Sequence, residues 1–129
     1  MRRILIIFSL GLGLGLALAG CVTPSIPIPP PDPALMNFTI TVEGPDSTAT
    51  FSYPPHADYS DAIVYVFNRD QGVGIIEQAR PDGSVGPTRA VSAQVNDQIV
   101  VSFQLEDQTA SRCIRLRDGA QDPTNYCGP

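Results

Sequence analysis

The chain lacks tryptophan and lysine altogether and has a single histidine, His56, and three cysteines. Without lysine, its cations are 8 arginines against 13 Asp plus Glu, a formal charge of −5. Such a balance argues against a nucleic-acid partner, whose phosphates demand basic patches. It equally argues against an electrostatic hold on anionic lipid, and mainly favours solubility. One distant histidine and two or three thiols do not make a four-ligand zinc spacing. The missing tryptophan is unfavourable to a carbohydrate-binding module, in which Tyr53, Tyr59 and Tyr126 would have to supply the stacking faces. Helical periodicity is also missing after residue 37, which leaves strands to carry the fold.

The N-terminus has Arg2 and Arg3, then an apolar run from Ile4 to Ala19 interrupted only by Ser9 and glycines. That is the layout of a secretory signal: positive, apolar, then small residues. A stable membrane span needs about 18 to 20 apolar residues, and Gly11, Gly13 and Gly15 each weaken a helix here. The run ends in Leu18-Ala19-Gly20-Cys21, which resembles the lipobox of bacterial lipoproteins. The resemblance implies a signal peptide over 1–20, cleavage between Gly20 and Cys21, and lipidation of Cys21 by a diacylglycerol, usually with a further acyl chain such as palmitate on its amine. Two or more chains anchor a protein stably, because each buried methylene adds about 0.8 kcal/mol. Val22 stands where an aspartate would mark inner-membrane retention, so the outer membrane is the favoured location. Cleavage would leave 109 residues with 6 Arg against 13 acids, a formal charge of −7.

Once the lipobox takes one cysteine, Cys113 and Cys127 remain as an even pair in an oxidising compartment, where a disulfide is the default. Closing a loop of that size stabilises a fold by about 3 kcal/mol on the chain-entropy model.

Residues 22–37, VTPSIPIPPPDPALMN, carry six prolines. Proline fixes φ and removes a donor, so residues 21–37 read as the acylated cysteine followed by a semi-rigid tether. At about 3.1 Å per residue it would span up to roughly 50 Å. From Phe38 the pattern becomes period two. FTITVE, TATFSY, VGIIEQA, TRAVSAQV, QIVVSFQLE and SRCIRLR read as strands between turn segments such as GPDS, RDQG and RPDGS. AIVYVFN, apolar on both sides, reads as a central strand. About seven short strands predict an all-β domain over 38–129, an immunoglobulin-like sandwich. In SRCIRLR, Ile114 and Leu116 share one face while Cys113 sides with Arg115 and Arg117. The bridge to Cys127 is therefore expected outside the core, pinning the C-terminal tail across an outer face or sheet end.

Between about Val42 and Leu116 the chain resembles bacterial immunoglobulin-like domains. Val64, Val66 and Asn68 match a V-x-V-x-N strand, Gly72 and Gly74 the turn after it, and Ala79 with Asp82-Gly83-Ser84 the next element. Asn96-Asp97 stands where Gly-Asp is usual, Ser111 matches a final serine, and Ala110 departs from the pattern. The resemblance implies a fold and no particular activity.

Catalytic residues are not evident. His56 in YPPHADYSD has Asp58, Ser60 and Asp61 nearby, which raises a small hydrolase or metal-dependent enzyme as an alternative; DYSD lacks the oxygen density of an EF-hand calcium loop. Glu106-Asp107 and Asp118 with Asp122 read as turn and surface acids, since a glycosidase pair needs a fixed separation across a cleft. GVG at 72–74 is no phosphate loop, because no helix follows it. The expectation is a non-enzymatic envelope lipoprotein without cofactor or metal, held to the membrane through its lipid. It would contact another envelope or surface protein through His56 and Tyr59 or through the basic residues Arg112, Arg115 and Arg117.

Overall fold

The computed structural model describes residues 26–127. The signal segment, the cleavage site and Cys21 lie outside the described residues. Eight strands form two antiparallel four-stranded sheets: β1 (Asn37–Glu43), β2 (Asp46–Ser52), β3 (Ile63–Asn68), β4 (Val73–Gln78), β5 (Val91–Ser92), β6 (Gln98–Leu105), β7 (Gln108–Arg115) and β8 (Gly119–Ala120). One sheet has the order β5-β2-β1-β8 and the other β4-β3-β6-β7. The chain makes a hairpin in the first sheet and one in the second, returns to the first for β5, and closes the second with β6 and β7. This is an all-β sandwich with immunoglobulin-like crossovers.

Alternation explains the packing. Phe38 and Phe51 face each other across β1 and β2, with ring centroids 5.0 Å apart. Val64 and Val66 of β3 pair with Phe103 and Val101 of β6, and all four are essentially inaccessible. AIVYVFN is central, as its composition predicts, with β4 on one side and β6 on the other. TRAVSAQV, expected as a full strand, contributes only Val91–Ser92. Its other buried residues, Thr88 and Ala93, use single backbone bonds to Phe51 and Ser47.

Asn68, fully buried, ties the two sheets together. Its Nδ2 donates to the Ser92 carbonyl at 3.0 Å and to Asp97 Oδ2 at 2.8 Å. Its Oδ1 accepts from the amides of Asp70 and Gln71. Asp97 Oδ2 also accepts from Gln94 N–H and Gln71 Nε2. Every polar group in this buried network is satisfied, the condition for such a network to stabilise a fold. Asn96 before Asp97 has φ 75°, a conformation Asn tolerates better than most residues.

The proline stretch departs from the expected free tether. From Ile28 onward it belongs to the domain, because its backbone polar groups find partners there. Ile28 N–H donates to Gln108 Oε1 at 2.8 Å and Asp32 N–H to the Tyr53 hydroxyl at 3.1 Å. Tyr59 donates its hydroxyl proton to the Pro29 carbonyl at 2.6 Å. Pro31, Pro33 and Met36 are buried. Asp32 caps a 3-10 turn over Pro33–Leu35, accepting from Ala34 N–H, with proline at the first position where its missing donor costs nothing. The domain boundary expected at Phe38 therefore moves about ten residues toward the N-terminus, counted to the first hydrogen-bonded residue, Ile28.

Candidate functional site

His56 opens a second 3-10 turn, Ala57–Tyr59. Its Nδ1 accepts from Asp58 N–H at 3.3 Å and lies 3.7 Å from Asp58 Oδ2. The imidazole stacks on Tyr59 with centroids 4.6 Å apart, and Tyr59 in turn stacks on Phe103 at 4.1 Å. Tyr53 meets Tyr59 edge-on at 5.7 Å. Burial pushes the Tyr59 phenol far above its ordinary value, with smaller contributions from Tyr53 and Asp58; burial also raises that of Tyr53. Tyr59 is only 1% exposed. The ring expected as a contact residue is the seat of the proline strap, and His56 covers its other side.

This loop does not assemble a hydrolytic set. Ser60 donates its hydroxyl to the Pro81 carbonyl at 2.6 Å. Asp61 sits at φ 58° with its amide donating to Arg80 O, and neither residue hydrogen-bonds to the imidazole. Among the described residues, no three His, Cys, Asp or Glu side chains converge as metal ligands. Asp82-Gly83-Ser84 packs against the same loop: His56 N–H donates to Asp82 O, and Asp82 Oδ1 accepts from both Ser84 N–H and Oγ–H. Those bonds hold the Asp82 carboxyl below its usual range. Gly83 has φ 82°, and a Cβ there would run into the His56 carbonyl, so this turn demands glycine.

An open groove of about 530 Å³ runs between Ala34–Leu35, Ser52–Pro54 and the 80–87 loop. Its one cationic side chain, Arg80, is committed to Ser84 Oγ and Gly86 O. Of the three tyrosines weighed for sugar stacking, Tyr53 and Tyr59 are buried and Tyr126 is 63% exposed.

The basic residues of the last strand do not form one row. The register places Arg112 opposite Val101, on the core side of β7, and Arg115 opposite Gln98, on the outer side. Arg117 lies beyond β7 and donates Nε–H to Ala120 O. The Cys113–Cys127 disulfide is formed, with a Cα–Cα distance of 5.1 Å. Cys113 projects outward as its alternation predicts, and of the outer face or sheet end expected for the tail, it takes the open edge of β7. Tyr126 bridges Ile114, and Cys127 N–H donates to Cys113 O.

Sequence reasoning missed the outer face of the β4-β3-β6-β7 sheet. Its paired positions include Ile63, Tyr65 and Phe67 on β3, Ile76 on β4 and Val100 on β6. Ile63, Phe67 and Ile76 are 40%, 44% and 59% exposed. Arg115 is the one charged residue among the paired positions of this face. The signal was present in the two-sided apolarity of AIVYVFN, but it reads as burial on both sides, whereas one side is open. At the edge, Arg89 covers β4 by donating Nη2–H to Ile76 O and both its backbone N–H and Nε–H to Glu77 Oε1; the backbone bond first, then the side-chain one, holds Glu77 below the usual carboxylate range. Set against protein-family models, curated proteins and solved structures, the chain matches none of them.

Proposed function

We propose that this protein is a bacterial envelope lipoprotein, anchored through acylated Cys21, whose immunoglobulin-like sandwich acts by protein contact and not by catalysis. The observation that carries the contact reading is the apolar patch of Ile63, Tyr65, Phe67, Ile76 and Val100 on the outer face of the β4-β3-β6-β7 sheet, where Arg115 is the one charge among the paired positions. Depletion of charge with aromatic enrichment is the compositional mark of an interface core, and contiguous exposed apolar surface on a soluble domain marks an interaction site. The anchor reading rests on the Leu18-Ala19-Gly20-Cys21 resemblance, and Val22 favours the outer membrane. Because the strap is docked from Ile28, only about six residues separate Cys21 from the domain, a reach of roughly 20 Å at the polyproline rise. Such a domain works close to the lipid surface and not some 50 Å above it.

The test has two arms. Palmitate labelling and membrane fractionation should be lost in Cys21→Ser; retention of both would remove the anchor. Crosslinking in intact cells should trap a protein through sites next to Phe67 or Ile76. Trapping only through the His56 loop would move the contact elsewhere.

A further inference from the structure

The outer face of the β4-β3-β6-β7 sheet has a charge at each end as well as an apolar middle. At one end Arg115 stands opposite Gln98, and Arg69 joins it there through its amide bond to Gln98 O. The Arg69 guanidinium lies 3.8 Å from Cys113 Sγ. Among the described residues, neither arginine has a carboxylate within salt-bridge distance; the ion pairs are His56 with Asp58 and Arg89 with Glu77. At the other end the β6–β7 turn presents Glu106 and Asp107, both exposed, and no arginine pairs with them. Asp70 lies at the Gln98 end too, its Oδ2 accepting from Gln98 N–H at 2.7 Å, so that end carries two arginines free of carboxylates beside one amide-bound carboxylate, the middle is uncharged and the Leu105 end is acidic.

From this arrangement we propose that the occupant of the face is a second copy of the chain, docked face to face with its strands reversed. This deepens the contact reading above and rests on it. A half-turn about an axis running across the strands maps Arg115 onto Gln108 and Gln98 onto Leu105. It sets Arg115 and Arg69 of each copy over the Asp107 and Glu106 end of the other, while Tyr65 and Ile76 meet their counterparts in the middle and Phe67 lies over the partner's Tyr65. The contact is isologous, the commonest symmetry of homo-oligomers, and two sheets packed this way lie about 10 Å apart. Four strands spaced about 4.8 Å and some six residues long at about 3.3 Å each give a face of roughly 400 Å². A standard interface takes about 800 Å² per partner, so the dimer is weak and reversible, and confinement to a membrane surface raises its occupancy through effective concentration.

The test uses the full chain in detergent, followed by sedimentation velocity over a concentration series at low and high salt. The expected result is salt-sensitive self-association in the micromolar to millimolar range, abolished by Ile76→Glu. Arg115→Glu and Asp107→Arg should each weaken it about tenfold, as expected for a charge pair at an interface. The double reversal should recover most of that loss, because it restores opposite charges under the reversed-strand geometry. All three side chains altered are on the surface, and unchanged thermal unfolding of each variant separates the effect from misfolding. A monomer at every concentration, or a double reversal no better than the single ones, would overturn the proposal. Crosslinking to a different protein by a strictly monomeric chain would overturn it too, while leaving the contact reading standing. Membrane retention of Cys21→Ser would remove the anchor and leave the dimer untouched.

Discussion

On the outer face of the β5-β2-β1-β8 sheet the paired residues are Asn37 with Ser52, Thr39 with Thr50 and Thr41 with Thr48. On the outer face of the opposite sheet Tyr65 lies between Ile76 and Ser102, and Phe67 between Gly74 and Val100. The two sheets bury similar apolar sets against one another, so the core does not account for the contrast. Strand formation does not account for it either. Threonine is β-branched and suits a pleated surface as well as valine or isoleucine does, and the first sheet shows that this fold pairs its strands with hydroxyls outside. Aromatic and aliphatic side chains on the second face are therefore surplus to folding, which is why that face and not the first carries the functional reading.

Asn68 and Phe67 offer the sharpest way to break the comparison, since they are adjacent on β3 and point to opposite sides. Asn68→Ala strands the Ser92 carbonyl and removes a donor from Asp97, and is expected to destabilise the monomer by about 3 kcal/mol. Phe67→Ser removes a half-exposed ring and should cost about 1 kcal/mol or less while reducing self-association. Urea unfolding of both variants checks the pair. Similar losses at the two positions would mean that the outer face is structural after all.

Removing the disulfide tests whether the edge beside that face depends on the bridge. With Cys113 and Cys127 separated by 14 residues, the Cys113→Ser/Cys127→Ser variant should lose about 2 to 3 kcal/mol by the loop-entropy estimate. Hydrogen exchange should then rise at Arg115 and Cys127, whose amides bond across the tail. Exchange on β1 and β2 should stay as it was.

Alternation made most of the sandwich legible. Phe38, Phe51, Ile99, Val101 and Phe103 are buried where period two places them, and the parity of Cys113 correctly sends its sulfur outward. The Asn68 and Asp97 positions drew notice as parts of a turn pattern, but the hydrogen bond between them spans 29 residues and no local rule supplies that distance. The strap was hidden for a different reason. Proline-rich composition predicts an extended backbone, yet whether that backbone stays in solvent depends on acceptors and donors far along the chain, at Tyr53, Tyr59 and Gln108. The basic row failed on parity alone: Arg112 differs from Arg115 by an odd number of positions, which puts the two on opposite sides of a strand.

Tyr53 and Tyr59 belong to the inner side that both sheets share, so their titration should leave the contrast between outer faces intact. Both phenols are raised, chiefly by burial. A raised folded value means the stabilising contribution is fully present below the unfolded phenol value of about 10 and is lost as pH rises toward the folded values. Stability measured in urea should thus be level on this account up to about pH 10 and fall above it. Tyr59→Phe should cost about 1 kcal/mol at neutral pH, through the hydrogen bond to Pro29, and flatten the alkaline decline. An unchanged decline would assign it to other groups.

The smallest effect is also the most direct exchange between the two faces. Thr41→Ile places an aliphatic chain on the hydroxyl face, and Ile76→Thr places a hydroxyl on the aliphatic one. Each position is solvent-exposed on a strand and each substitution keeps a β-branched side chain, so monomer stability should move by no more than about 0.5 kcal/mol in either variant. Association should not follow stability. Ile76→Thr is expected to lower it severalfold, because the side chain leaves the middle of the proposed contact. Thr41→Ile should leave it unchanged, since one added aliphatic group on a hydroxyl surface creates no contiguous patch. If sedimentation shows the two variants shifting association equally, apolar area anywhere on the sandwich suffices, and the second face loses its distinction from the first.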